Sequence, residues 1–341
     1  MKKHLIVESE FLDNLFITQE DNKIRADLYN FITQDFSNYE LICDFEDFEE
    51  YKAAMIENPV WEIMLDRFNT VEYNENVEIE SICKNPEKYS HSIFLLDDNA
   101  KDIDQLTDKF GLIFINEERL ENIWSGFADL RKGVQLKVTK SNIIPEEYKL
   151  DCWSKIEKFS TPLNSVIIFD RYILDDKTNQ KMDHNILPFL EYLIKDRNPS
   201  KPIDITIITE LNAICNIQEK HRQITEYLNK KDISYFNLNI VKHAKMFYPR
   251  DFEGLHSRFI LTNYFHFKCD DSFNFFKRNG KVNNDADLRI NFNLNEKNDS
   301  FFKKELIDVK TYFEKIENNS SQPVPECREM FYPSKTNPLL V

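Results

Sequence analysis

Short apolar runs alternate with longer amphipathic stretches along most of the chain. In the first half, His4-Leu5-Ile6-Val7, residues 39–43, His91-Ser92-Ile93-Phe94-Leu95-Leu96 and Gly111-Leu112-Ile113-Phe114-Ile115 read as strands. Between them, residues 11–17, 23–36, 48–68, 100–109 and 117–127 carry apolar residues at helical spacing, and Pro59 predicts that one helix ends and another begins within 48–68. Residues 71–81 read as a short strand or a loop. Strands that are apolar on both faces and alternate with helices predict a mostly parallel, three-layer α/β sheet.

The second half repeats the alternation. Strands are expected at 165–170, 203–209 and 235–241, with helices at 187–195, where Pro188 fits the first turn, and at 217–229. A basic loop, Lys242-His243-Ala244-Lys245, leads to a glycine-headed stretch, Gly254 to Asn263, whose partner strand is 264–268. The turn at Asn279-Gly280, a strand at 289–294 and a helix at 301–316 follow. This reading gives an acidic α/β domain over 1–130, a connector over 131–160 containing Arg131, Pro145 and Trp153, an α/β domain over 161–318, and a proline-rich tail over 319–341 expected to be extended and poorly packed.

Composition supports two packed cores: the chain has 341 residues, 41% of them hydrophobic. Glycine is scarce, at 5 residues, and neither G-x-x-x-x-G-K-[ST] nor G-x-G-x-x-G occurs, which excludes P-loop and dinucleotide-binding readings. The net charge of -15 is uneven: residues 1–130 hold 11 Lys and Arg against 30 Asp and Glu, while the remainder holds 33 against 29. An acidic half repels nucleic acid unless metal ions intervene; the second half either carries a basic groove at Lys242, Lys245, Arg250 and Arg258 or scatters these charges over its surface. The six cysteines form no C-x-x-C pair, and His266 with Cys269 lacks a second ligand pair, so they read as reduced, mostly buried thiols of a cytoplasmic protein. No signal peptide or membrane span is expected.

Within Gly254 to Asn263, a strand would place His256 and Arg258 on one face, because side chains repeat every second residue. The spacing His256-x-Arg258-x-x-x-x-Asn263 resembles the His-x-Lys-x-x-x-x-Asp signature of the phospholipase D superfamily, with lysine changed to arginine and aspartate to asparagine. It departs from that pattern in having one copy, and in having Asp270-Asp271-Ser272-Phe273-Asn274 where Gly-Ser-x-Asn would stand. It looks more like the single-motif, His-x-Arg branch, as in the C-terminal domain of microtubule-interacting and trafficking proteins. The resemblance implies a phospholipase D-like α/β domain in which His256 attacks phosphorus and Arg258 clamps the phosphate. A second histidine would come from a homodimer partner's copy of His256, or from His243 or His266. It further implies nucleic-acid, phosphoinositide or protein partners and, for bacterial relatives, a place in conflict systems.

A second candidate lies at the carboxyl ends of the first-half strands, where open α/β sheets bind ligands. Glu8 and Glu10, Asp97 and Asp98, and Glu117 and Glu118 would converge there on Mg²⁺ or Mn²⁺, or simply cap the helices that follow. The order of elements is similar to PIN-type nucleases, although those have aspartate where Glu8 stands. Asp170-Arg171 reads as a strand-end turn with an ion pair, and His184 as a residue of the loop before a helix. Two functions follow: a nuclease-like or phosphodiesterase-like protein acting on nucleic acid, in defence against phage, or a catalytically inert phosphate- or protein-binding sensor or adaptor.

Overall fold

The structure is a computed structural model that describes residues 3–20, 22–35, 39–74, 89–97, 101–141, 143–160, 162–174, 180–195, 199, 201–210, 216–243, 258–270, 272–318, 328–331 and 337–340, the side chains of 210, 242, 243, 296–299, 312–318 and 328–331 excepted. It is an α/β protein whose chain forms two compact units, Met1–Gly133 with Phe292–Ser300, and Val134–Asn291 with Phe301–Val341.

The first unit is built on five parallel strands, β1 (His4–Val7), β2 (Glu40–Cys43), β3 (Thr70–Tyr73), β4 (Ile93–Leu96) and β5 (Ile113–Asn116), in the order β3-β2-β1-β4-β5. β1, β4 and β5 are buried at every position, as apolar runs covered by helices on both faces must be, whereas edge strand β3 alternates exposed with half-buried residues. Helices α1 (Ser9–Thr18), α2 (Lys23–Asn30), α3 (Phe48–Glu57), α4 (Val60–Arg67), α5 (Ile103–Phe110) and α6 (Leu120–Leu130) connect them. Side chains set the boundaries. Asn22, Asp47 and Asp102 accept from the first free N–H groups of α2, α3 and α5. α3 ends before Asn58-Pro59 and α4 starts after it, as the proline predicts; Gly111 ends α5 in the left-handed region, at φ 65°.

In the second unit, β7 (Ser165–Phe169), β8 (Ile203–Glu210) and β9 (Phe236–His243) run parallel, joined through α7 (Leu187–Ile194) and α8 (Ile217–Asn229). β10 (Arg258–Thr262) pairs antiparallel with β7, and β11 (Phe265–Cys269) with β10. The sheet continues through β12 (Ala286–Phe292) to β6 (Val134–Val138) at one edge, and β13 (Arg328–Phe331) pairs antiparallel with β9 at the other. The strand order is β13-β9-β8-β7-β10-β11-β12-β6, with α9 (Glu296–Asn318) after β12.

Two stretches differ from their sequence reading. Residues 134–138, expected in a connector, supply edge strand β6, and Trp153 is buried against Phe189, Phe275 and Phe276. The proline-rich tail is not poorly packed throughout. Asn337 is buried, with Nδ2 donating to the Val166 and Asp204 carbonyls at 3.1 Å each, and Leu339 is fully buried. A single asparagine that satisfies backbone oxygens of two adjacent strands holds its segment without any apolar periodicity.

Candidate functional site

β10 begins at Arg258, and its neighbour Phe259 lies opposite Phe169, the last residue of β7, with the rings stacked at 5.1 Å. That register brings Arg258 to the carboxyl end of β7, next to Asp170. Arg258 Nη1 donates to the Asp270 carbonyl at 2.9 Å, the guanidinium lies 5.7 Å from the centre of the Tyr172 ring, and its Nε is buried without a hydrogen-bond partner among the described residues. Together with Tyr172, Lys181, Ser272, Asn274, Phe275, Asn284 and Ala286 it lines a cavity of about 220 Å³.

The walls are fixed from below. Asp170 is fully buried; its Oδ1 accepts from Tyr172 N at 2.9 Å, and its Oδ2 accepts from Ser272 Oγ at 2.8 Å and Phe273 N at 2.9 Å. Burial pushes the Asp170 carboxyl above its ordinary range, against the pull of these hydrogen bonds and of Arg258. Asn185, also fully buried, accepts from Phe276 N at 2.8 Å and donates to Phe276 O at 3.2 Å, while its contact with Asn274 Oδ1 at 3.3 Å leaves the Asn274 amide NH₂ as a donor. Two cations, two amides and a phenol around a small cavity are the groups that recognise an oxyanion. Arg258 is suited to grip two of its oxygens at once.

The other motif residues stand elsewhere. His256 and Lys245 lie outside the described residues, as does the side chain of Lys242. His243 is placed at the end of β9 by its backbone. Asn263 is fully buried and accepts from Asn164 N at 3.1 Å, a structural role. His266 pairs across the strands with Leu261, three residues along β10 from Arg258, a separation of about 10 Å. It is buried in an ion pair with Glu305, which also accepts from Lys268 at 3.0 Å. Neither Asn263 nor His266 lines the Arg258 cavity.

Asp170, Tyr172 and Lys181 were not singled out as site residues from sequence. Asp170 does make the predicted strand-end turn, but its carboxylate serves a loop 102 residues away rather than Arg171. Ser272 and Asn274 did carry a signal: the stretch that departs from Gly-Ser-x-Asn keeps its serine and asparagine, and both line the cavity. His184 lies in the turn before α7, its carbonyl accepting from Trp153 Nε1 at 3.1 Å.

In the first unit, Glu8 and Asp97 follow β1 and β4, where the strand order reverses. Glu8 is occupied: Oε2 accepts from Asp97 N at 2.7 Å and Oε1 pairs with Lys101 at 2.8 Å. Glu10 is exposed, and the charge of Asp97 first, then a hydrogen bond with it, raise its carboxyl. Glu117 pairs instead with Arg25 at 2.9 Å. Asp98 lies outside the described residues, and among those described no group of three or more His, Cys, Asp or Glu side chains is placed to hold a metal ion. Mg²⁺ or Mn²⁺ would meet Glu10 and Asp97 without a third described carboxylate free to join them.

Compared with the profiles of known families and with curated proteins, the chain matches none. No helix among the described residues is long and apolar enough to cross a membrane. The chain is an α/β protein with a small cavity, lined by Arg258 and Lys181 among others, at the carboxyl end of a central strand in its second unit.

Proposed function

We propose that the chain is a nuclease-like protein that recognises a phosphodiester of nucleic acid, with one phosphate held in the Arg258 cavity. The observation that carries this reading is the cavity itself, which Arg258 and Lys181 line with charge and Asn274 and Asn284 with amide groups. A phosphate oxyanion is the kind of acceptor that such a set of cations and amide groups recognises. His256, two residues before Arg258, is the nucleophile in this reading, as in the family that the motif resembles, and a histidine nucleophile needs an anion clamp beside it.

A second reading, phosphate binding without cleavage, draws on the fate of Asn263 and His266. Both are spent on internal structure, and no histidine is among the described residues that line the cavity. Under it the protein is a sensor or adaptor for a phosphorylated ligand.

A cleavage panel of single- and double-stranded DNA and RNA, with and without Mn²⁺, separates the two. Metal-independent cleavage that disappears in His256→Ala supports the nuclease. Intact substrates throughout, with phosphate binding retained, leave the binding module. Metal-dependent cleavage that survives His256→Ala but is lost in Asp97→Asn would move the chemistry to the first unit and overturn the assignment of His256.

A further inference from the structure

A second, larger cavity of the same unit carries cations that no described carboxylate pairs with. It measures about 420 Å³ and is lined by Lys140, Lys149, Lys277 and Lys281, together with Asp151, Gly280 and others. Several basic side chains elsewhere in this unit are drawn to carboxylates: Lys137 to Asp287 at 2.7 Å, Lys195 to Glu157 at 2.9 Å, and Lys231 to Glu191 at 2.9 Å. Lys140, Lys149, Lys277 and Lys281 make no ion pair with a described residue, although the chain as a whole carries a net charge of -15. Asp151, the acid of the lining, is taken by Lys155 at 3.2 Å. Burial would raise its carboxyl, but the Lys155 hydrogen bond leads the contributions that hold it low, so it remains charged and committed.

The cavity is built rather than incidental. Lys277 and Lys281 flank a turn closed by Lys277 N to Lys281 O at 2.9 Å and Gly280 N to Lys277 O at 2.9 Å, with Gly280 at φ 72°. The base of that loop is Phe276, which Asn185 holds through two hydrogen bonds and Trp153 packs edge-on at 5.4 Å. The same loop supplies Asn274, Phe275 and Asn284 to the Arg258 cavity, so one rigid segment walls both.

We propose that this lysine cavity is a docking path for the sugar-phosphate backbone of a single-stranded nucleic acid whose neighbouring phosphate enters the Arg258 cavity. The proposal rests on the phosphodiester reading above. Four cations in a concave space match a flexible strand of phosphates, which can bend into it where a stiff duplex cannot. Tyr148, next to Lys149 in sequence and 53% exposed, offers a ring on which a base can stack.

The test is fluorescence anisotropy with a labelled oligo-dT strand over a salt series, using the full chain and the double variant Lys277→Glu/Lys281→Glu. Both positions are exposed and the turn is held by backbone hydrogen bonds, so the variant keeps its fold, which circular dichroism checks. The proposal expects affinity to fall about tenfold or more, and the slope of log affinity against log salt to become shallower by about 0.7 for each lysine lost. The part of inorganic phosphate binding that Arg258→Ala removes, which reads the Arg258 cavity, stays unchanged in the double variant. Unchanged strand affinity and slope in the double variant overturn the lysine path while leaving the Arg258 reading intact. Equal binding of duplex and single strand, both lost in the variant, overturns the single-strand assignment. Loss of inorganic phosphate binding in Arg258→Ala, or its absence in the parent chain, reports on the Arg258 reading instead.

Discussion

At the scale of single residues, the account turns on Asp170, a carboxylate buried beneath a cluster of donors. It satisfies Tyr172 N, Phe273 N and Ser272 Oγ at once, so Asp170→Ala leaves three buried or half-buried donors unmatched. The expected cost is about 2–4 kcal/mol in urea denaturation, with Asp170→Asn losing less because it keeps an acceptor oxygen. Because burial raises this carboxyl in the folded state, its contribution is fullest below the unfolded value, about pH 4, and declines as pH rises through the window between the two values. Asp170→Asn should remove that decline, and a slope unchanged from the parent would contradict the assignment. An acid after an apolar strand is visible in sequence. That its partners lie 102 and 103 residues further on is a property of the sheet register, which no local pattern encodes. The place of Arg258 is legible for the opposite reason: it follows from a position at a strand entrance. His266 shares its strand pair but is turned inward by the register, and Asn263 is buried in the turn that joins the two strands.

Elements were the most legible level. Residues 217–229 were read as a helix and form α8 over that range, because Asn216 caps one end and apolar residues recur at helical spacing. Where apolar residues gave no lead, as at β6 and Asn337, the chain is ordered by strand pairing and side-chain to backbone hydrogen bonds that local pattern does not display. The contact of β11 with α9 depends on Glu305 between His266 and Lys268. Burial would raise the Glu305 carboxyl, but the hydrogen bond and charge of His266, then those of Lys268, outweigh it and hold it below its ordinary value. Its folded value is depressed, so the stabilisation is present above the unfolded value, about pH 4.3, and is lost as pH falls through the folded one. Thermal melts over a pH series should show Glu305→Gln less stable by about 1–3 kcal/mol at neutral pH and with a flatter acid limb. A variant as acid-sensitive as the parent would count against the ion pair.

For the molecule as a whole, sequence gave the α/β class, through continuous apolar strands alternating with amphipathic helices. It also located the acidity in the first half. The order β3-β2-β1-β4-β5, with Glu8 and Asp97 at the reversal, gives those carboxylates a common edge, but Glu8 is already satisfied by Asp97 N and Lys101. The second unit holds the site. Its cations line two cavities walled by one loop, an arrangement that spacing along the chain could not reveal because Lys140 and Lys149 meet Lys277 and Lys281 only in the folded unit. The most direct measurement of the central claim is a calorimetric titration of inorganic phosphate into the full chain, Arg258→Ala and Arg258→Lys. The account predicts binding that falls about tenfold or more in Arg258→Ala and is partly kept in Arg258→Lys, which retains charge without the bidentate fork; equal binding by the parent and Arg258→Ala would contradict it.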